Sequence, residues 1–351
     1  MDKLKVGIVG CGFIAKRRHI PSFLKMKKTV VLQAVCDLDE QLAASVAREY
    51  GVPKAYSSLS EMLSEENLNI VDICTQPHTH APLAVDAMKS GCDVLLEKPM
   101  ALKVSDCDQM IGISQRFGLR LCTIHNEIFH SVFLRARELV EKGAIGTLTG
   151  IRWCRLTPRT EYLALEDHWI HRLPGGVLGE TGPHAVYASL AFLEDVKNVD
   201  VYAKKSSEYP WVQYDDYRIE LEGENIVSSI LISHANDCTA ADIDLFGTKG
   251  AIKIDLQSML LILYKRQDLK LKSVALSSLK AAGQIVKGVV SNTFATAFGR
   301  TMVGHDVLIG KFVDSVMNDQ PLPVTAEQGK DTVRVMEMIV EKFQQKYGSL
   351  R

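Results

Sequence analysis

An apolar run of strand length, Leu4 to Val9, meets Gly10-Cys11-Gly12-Phe13-Ile14-Ala15, and a helix-competent stretch follows. Between a strand and a helix, this Gly-x-Gly-x-x-Ala pattern brings bare backbone against a pyrophosphate. Gly10 permits the tight turn out of the strand, Gly12 lets the backbone approach the phosphates, and Ala15 lets helix pack closely on strand. The free N–H groups at the helix start face the phosphates, where the helix dipole favours negative charge. Gly10, Gly12, Phe13, Ile14 and Ala15 are therefore the expected cofactor contacts. A second apolar run, Val30 to Cys36, ends on Asp37. A carboxylate there accepts hydrogen bonds from the adenosine ribose hydroxyls and repels a 2′-phosphate, which favours NAD over NADP. Lys16, Arg17 and Arg18 follow the fingerprint and offer basic groups to a 2′-phosphate, so NADP stays open as a second cofactor.

The elements that must hold these residues alternate for the first third of the chain. Glu40 to Tyr50 has helical periodicity, and Ile70 to Thr75 reads as a strand running into Gln76-Pro77-His78-Thr79-His80. A helix from about Pro82 to Ser90 stops at Gly91. Then come the strand Asp93–Leu96, the triplet Glu97-Lys98-Pro99, a helix to about Phe117 and a strand over Arg120–His125. Apolar strands separated by helices imply a parallel sheet covered on both faces, with ligands beyond the strands' carboxyl ends. Gly10, Asp37, Thr75 and Lys98 all fall at those ends.

From about residue 147 the texture changes to alternating segments at 148–156, 199–204, 217–221, 226–233, 242–246, 251–256 and 259–264. Thr248-Lys249-Gly250 reads as a hairpin turn between two of them. The stretch from Lys280 to about Thr301 reads as a helix with a mobile end, and His305–Asn318 and Ala326–Tyr347 as closing helices. The expected fold is α/β: a Rossmann domain with a parallel sheet over residues 1–124, then an α+β domain with a large, mostly antiparallel open sheet over 125–351.

With 41 basic and 42 acidic residues in 351, the chain has no overall basic field for nucleic acid or an anionic membrane. No apolar stretch approaches the ~20 residues of a membrane span, and no signal segment precedes the first strand. The expectation is a chain with neither a nucleic-acid nor a membrane partner. The eight cysteines are scattered without a Cys-x-x-Cys pair, which points to a reduced, cytoplasmic protein without a disulfide framework or a metal site. His78 and His80 stand two apart on a loop with no further ligand cluster nearby in sequence, a poor start for zinc.

Several of these residues together resemble the Gfo/Idh/MocA family, the glucose-fructose oxidoreductase and inositol dehydrogenase group. The resemblance rests on the glycine fingerprint, on Ile73-Cys74-Thr75-Gln76-Pro77 followed by His80, and on Glu97-Lys98-Pro99. It rests further on Gly175-Gly176 leading to Gly182-Pro183-His184, and on Phe246-Gly247-Thr248-Lys249-Gly250-Ala251. It implies NAD(P)-dependent hydride transfer at a hydroxyl-bearing carbon of a sugar, inositol-like or nucleotide-sugar substrate. It also implies a homodimer or homotetramer formed through the second domain's sheet. Some relatives instead use bound NAD to cleave glycosides by transient oxidation, and others sense dinucleotides without turnover.

The resemblance makes Lys98 the group that hydrogen-bonds the reacting hydroxyl, with His184 able to take and return its proton near neutral pH. Glu97 then orients Lys98 or lines the nicotinamide pocket. The family stretch reads Gly-Gly-x-x-x-Asp-x-Gly-x-His, and here Glu180 stands in the Asp position. On a helix Glu180 and His184 share one face, so the dyad survives with a longer carboxylate arm. Thr75, Pro77 and His80 belong to the implied cofactor-side loop. Asn126 matches a substrate-side asparagine, whereas Ile128 replaces the arginine usual two residues on. The polar and aromatic segment 166–172, with His168 in it, can hold a sugar ring by hydrogen bonds and stacking or be a solvated loop. Arg152, Arg155 and Arg159 would give one strand face positive charge.

Overall fold

The computed structural model describes residues 3–265, 268–298 and 303–348. They form two compact units, Met1–Asn126 with Val303–Arg334, and Glu127–Met302 with Val335–Arg351.

The first unit is built on six parallel strands: β1 (Leu4–Val9), β2 (Val30–Cys36), β3 (Lys54–Tyr56), β4 (Ile70–Ile73), β5 (Asp93–Leu96) and β6 (Leu121–Thr123). Their order is β3-β2-β1-β4-β5-β6, so the chain reverses direction across the sheet between β1 and β4. That reversal opens a crevice at the carboxyl ends of these two strands. β4 and β5 are buried along their whole length, which is why they read as continuous apolar runs. The connecting helices are α1 (Ile20–Lys25), α2 (Glu40–Tyr50), α3 (Leu59–Glu65), α4 (His80–Lys89) and α5 (Val104–Phe117). Asp39 caps α2 by accepting from the N–H groups of Gln41 and Leu42, and Gly51 ends it in the left-handed region at φ 70°. Ala43, Val46 and Ala47 form the buried stripe between.

The second unit opens with α6 (Ser131–Glu141) and carries seven strands. These are β7 (Leu148–Pro158), β8 (Asn198–Lys204), β9 (Asp216–Glu222), β10 (Val227–Asn236), β11 (Ala240–Gly247), β12 (Gly250–Asp255) and β13 (Leu260–Tyr264), with α7 (Leu178–Leu190) between β7 and β8. The order is β13-β12-β11-β7-β10-β9-β8, antiparallel throughout except for the parallel β7–β10 pair. Strict alternation buries one face of this sheet. A cross-strand row of Val201, Ile219, Ile230, Trp153, Ile243 and Ile254 runs through six strands in register, every side chain buried. Each such side chain contributes about 1.5–3 kcal/mol, so this row anchors the unit. α6 packs on β12 and β13, α7 on β7 and β10, and α8 (Leu271–Ala297) along β13.

The sequence reading divides the chain once, after residue 124. In the structure, α9 (Gly304–Asn318) returns to the first unit, where Asp306 accepts from Ser22 Oγ and Lys25 Nζ at 2.7 and 2.9 Å. The last helix, α10 (Ala326–Tyr347), has residues in both units. α8 begins nine residues before the expected Lys280, and the expected end at Thr301 lies outside the described residues.

Candidate cofactor and active-site residues

β1 ends at Val9 and the chain turns at Gly10 with φ 92°. A Cβ there would stand 2.8 Å from the backbone carbon and oxygen of Cys74, so only glycine fits the turn. Gly12 is the opposite case: it is exposed, and an added Cβ would meet nothing within 4 Å. The loop is thus open where phosphates would approach. Asp37 at the end of β2 is tied to this loop, accepting from Cys11 N–H at 2.8 Å through Oδ2 and from Asp39 N–H at 3.0 Å through Oδ1. Each oxygen keeps a lone pair for a ribose hydroxyl. Phe13 and Leu38, 74% and 94% exposed, offer apolar surface beside the loop and beside Asp37. The open glycine, the tethered carboxylate and these exposed apolar groups fit a bound dinucleotide.

Behind the fingerprint, Ala15–His19 form one π-helical turn before α1. His19 is completely buried, with Nδ1 2.7 Å from Asp72 Oδ2 and Nε2 2.9 Å from Glu97 Oε1. Both carboxylates only accept, so both ring nitrogens donate and the ring is an imidazolium. Burial opposes that charge, but the Asp72 carboxylate outweighs it and holds His19 well above the usual imidazole range. Burial likewise works against Glu97, yet hydrogen bonding to His19 and His305 draws its carboxyl well below the ordinary value. His305, 3.6 Å from Glu97, is lowered by its own burial. The second Glu97 oxygen accepts the backbone N–H of Lys98 at 2.9 Å. Lys98, half-buried just past β5, therefore extends from a backbone pinned by a buried ionic network.

The loop after β4 is tied down in the same way. Thr79 Oγ lies 2.8 Å from Thr75 Oγ, and Pro77 is buried at the start of a short 3₁₀ turn. His80 is fully buried, with Nδ1 3.0 Å from Pro99 O and Nε2 3.1 Å from Thr75 O. Burial lowers its pKa. The ring thus braces the Thr75 loop against the segment that carries Lys98, while His78 stays exposed. Asn126 is half-buried, and the start of α9 rests on its backbone: a Cβ on Gly304 would collide with the Asn126 carbonyl.

In the second unit, Gly175 and Gly176 lead into α7, which sets Glu180 and His184 one turn apart on one face. His184 Nδ1 lies 2.7 Å from Tyr187 Oη and 3.5 Å from Glu127 Oε1. An imidazolium formed here would keep a partner and a neighbouring negative charge on the Nδ1 side. Glu127 is buried and pairs with the Arg155 guanidinium; burial opposes its charge, but Arg155 prevails and holds the carboxyl below its usual value. Glu180 Oε2 accepts from Thr181 Oγ at 2.9 Å, and that hydroxyl lies 3.1 Å from His234 Nε2. Burial pushes His234 down to about 4, so it is neutral and donates through Nε2 to the Thr181 oxygen. The chain His234–Thr181–Glu180 sets the direction of the Glu180 carboxylate. His168 is half-buried, 5.7 Å from the Tyr162 ring and 5.8 Å from Trp169, and its buried Nδ1 has no hydrogen-bond partner among the described residues.

One expectation is corrected. Arg152, Arg155 and Arg159 do not share a strand face, because residues three apart on a strand point to opposite sides. Arg155 is half-buried on the same face as Trp153 and is neutralised by Glu127, Arg152 on the other face pairs with Asp244, and Arg159, beyond the end of β7, pairs with Asp237 at 2.9 Å. The arginine row therefore offers no argument for an anionic substrate. Sequence reasoning also missed His19, Asp72, His305, Glu127, Tyr187 and His234. One signal was available: an acid inside the apolar run Ile70-Val71-Asp72-Ile73 must be paired if that strand is buried.

Comparison with known proteins places these features in a wider set. The profile described as "Oxidoreductase family, NAD-binding Rossmann fold" of GFO_IDH_MocA matches residues 4–125, and the GFO/IDH/MocA C-terminal domain matches 133–253. The chain is 32% identical over 143 residues to myo-inositol 2-dehydrogenase of Thermotoga maritima, covering 41% of this chain and 42% of that protein. It is 24% identical over 264 residues to inositol 2-dehydrogenase of Salmonella paratyphi B, covering 72% and 74% of the two. The match thus spans less than half the length of the first and about three quarters of the second. The WlbA dehydrogenase of Bordetella pertussis, solved with NADH and UDP-GlcNAcA, superposes with a TM-score of 0.79 at 18% identity over 98% of both chains. At that identity the likeness speaks to the fold.

Proposed function

From the premise that this chain belongs to the Gfo/Idh/MocA family of NAD-binding oxidoreductases, we propose that it is a dehydrogenase moving a hydride between NAD and a hydroxyl-bearing carbon of a sugar, inositol or nucleotide-sugar. One observation carries the reading. Gly10, Asp37, Thr75 and Lys98 follow the carboxyl ends of β1, β2, β4 and β5, four neighbours in the sheet that flank its reversal point. NAD supplies the hydride acceptor when bound; the chain's residues bind, orient and move protons.

In this reading Gly10, Gly12, Phe13, Ile14 and Ala15 hold the pyrophosphate side, Asp37 the ribose, and Thr75 and Pro77 the cofactor-side loop that His80 braces. Lys98 Nζ hydrogen-bonds the substrate oxygen. His184 takes the hydroxyl proton, with Tyr187 and Glu127 supporting the charge that forms on the ring. Glu180, held by Thr181, accepts a second substrate hydroxyl, and Asn126 and His168 contribute further polar contacts. The dehydrogenases named among the relatives act on inositols and on apiose, which supports a polyhydroxylated substrate. The test is a panel of inositols, free sugars and nucleotide-sugars offered with NAD⁺ and NADP⁺, read at the reduced-nicotinamide absorbance band. No reduction with any member at saturating cofactor would overturn the dehydrogenase reading.

We further infer a cytoplasmic homo-oligomer. None of the eight cysteines forms a disulfide among the described residues and six are buried, which supports a reducing compartment. The unburied face of the second unit's sheet carries Tyr202, Val227, Phe246 and Tyr264 as exposed apolar groups, the mark of an interface. Sedimentation velocity at micromolar concentration should show a dimer or tetramer; a monodisperse monomer would refute the assembly.

A further inference from the structure

Helix α8 has the reverse of the usual amphipathic arrangement. The stripe turned toward its own unit is small and polar: Ser277, Ala281, Gln284, Gly288 and Asn292 follow helical spacing, and Ala281 alone is buried. Gln284 docks the helix on the sheet edge, accepting from Leu263 N–H at 2.9 Å and donating to Leu263 O at 3.1 Å. Asn292 Nδ2 donates to the carbonyls of Ser258 and Met259 at 2.9 Å each. The large apolar side chains face away. Leu276, Leu279, Val286, Val290, Phe294 and Phe298 are 54%, 71%, 62%, 49%, 60% and 68% exposed. An apolar face of this extent on a helix does not stay in water.

Charge identifies what covers it. Residues 271–297 contain Lys272, Lys280 and Lys287, all exposed, and no acidic residue, in a chain whose acids slightly outnumber its bases. A second copy packed on the same face would set lysines against lysines, with no carboxylate from either helix to pair with them. A lipid surface with anionic headgroups meets both needs: the apolar face enters the headgroup–acyl boundary, and lysine stems reach outward to phosphates. Among the described residues no helix is long and apolar enough to cross a membrane, so the mode is lying on the surface. The expectation of no membrane partner drew on the absence of a span, which does not bear on this mode, and on overall charge, which averages out the local basic excess of α8. We propose that α8 is an in-plane anchor that seats this protein on anionic lipid bilayers.

The test is vesicle flotation of the full-length protein. Vesicles of phosphatidylcholine with phosphatidylglycerol should carry the wild type, phosphatidylcholine alone should carry much less, and raised salt should release it. The double variant Leu279→Glu/Val290→Glu should lower the vesicle-bound fraction about tenfold or more, with thermal midpoint and NAD affinity unchanged because both side chains point into solvent. Wild type that stays with the soluble fraction, or a variant that floats as the wild type does, overturns the proposal. So does a soluble dimer in sedimentation that the two substitutions dissolve, since the occupant would then be a second copy.

Discussion

Replacing His19 with alanine tests the buried network behind Lys98 most directly. Removing one partner of a buried ion pair costs about 3–5 kcal/mol, because the other charge stays behind without compensation. Here the single substitution strands two carboxylates. Among the described residues Asp72 Oδ1 already has no hydrogen-bond partner and Oδ2 keeps only the Cys74 thiol at 3.7 Å, whereas Glu97 retains the Lys98 N–H and His305 3.6 Å away. The loss at neutral pH should therefore sit near the upper end, about 5 kcal/mol, a large part of a domain's stability. The pH dependence carries a signature. His19 has a raised folded pKa, so its contribution is fully present below its unfolded value near 6.5 and is lost as pH rises through the folded value. Glu97 has a lowered folded pKa, so its contribution is present above about 4.3 and is lost as pH falls through the folded value. The gap between wild type and His19→Ala should thus narrow toward alkaline pH, as wild-type His19 loses its proton. It should also narrow toward acid, as the stranded carboxylates of the variant take protons up. Urea unfolding at a series of pH values measures it. A loss below about 1 kcal/mol, or a gap independent of pH, would refute an imidazolium at His19.

The two glycines of the fingerprint should separate folding from binding. Gly12→Ala adds a methyl into open space and should leave the thermal midpoint unchanged while weakening NAD in calorimetry, whereas Gly10→Ala forces a Cβ onto the Cys74 backbone at φ 92° and should destabilise by at least about 1–3 kcal/mol. If Asp37 accepts the ribose hydroxyls as proposed, Asp37→Ala loses charged hydrogen bonds worth about 1.5–3 kcal/mol, so NAD affinity should fall about ten- to a hundredfold with NADP affected less; a wild type that binds NADP as tightly as NAD refutes the role. Lys98→Ala and His184→Ala should each cost about 10²–10⁴-fold in kcat with NAD affinity kept, and the double variant should fall well short of the product if both serve one proton path. Wild-type turnover in Lys98→Ala rules the assignment out.

What could be read from the chain depended on how local its cause was. The ends of α2 were legible because Asp39 and Gly51 cap it. The parallel sheet was legible because its apolar runs are strand-length and separated by helical stretches, although full burial leaves β4 and β5 no alternation. β3 and α3 went unseen: β3 is three residues long with two of them exposed, too short for any period to register. The start of α8 was missed because its apolar residues follow a face turned to solvent. Nothing local says which unit a late helix packs against, so the return of α9 to the first unit was invisible; Asp306, which binds Ser22 and Lys25 far upstream, acts only in the fold. The candidate site divides in the same way. Gly10, Asp37, Lys98 and His184 carry motif spacing. His19 and Glu127 have meaning only through partners 53 and 28 residues away.

Those partners show a common device. In the first unit, an imidazolium between Asp72 and Glu97 fixes the oxygen that receives the Lys98 backbone N–H. In the second, the Arg155 guanidinium fixes Glu127, whose carboxylate and backbone N–H meet His184 and Tyr187 at 3.5 and 3.2 Å. Replacing such pairs by well-packed apolar groups is often neutral or stabilising, so stability alone does not account for keeping them beside the two residues assigned to the proton. An apolar core would hold these backbones as well, but it would place no charge near the reacting groups. Glu97 turns its second oxygen to the Lys98 backbone, whereas in Glu127 the oxygen that pairs with Arg155 is also the one facing His184. Under the proposed mechanism, positive charge developing on His184 would find a carboxylate already in place. Electrostatic support that is fixed before reaction needs no reorganisation during it. Glu127→Gln would keep the shape and remove that charge, so it should lower kcat more than it lowers the thermal midpoint; a variant that melts early yet turns over normally would show the pair to be structural only.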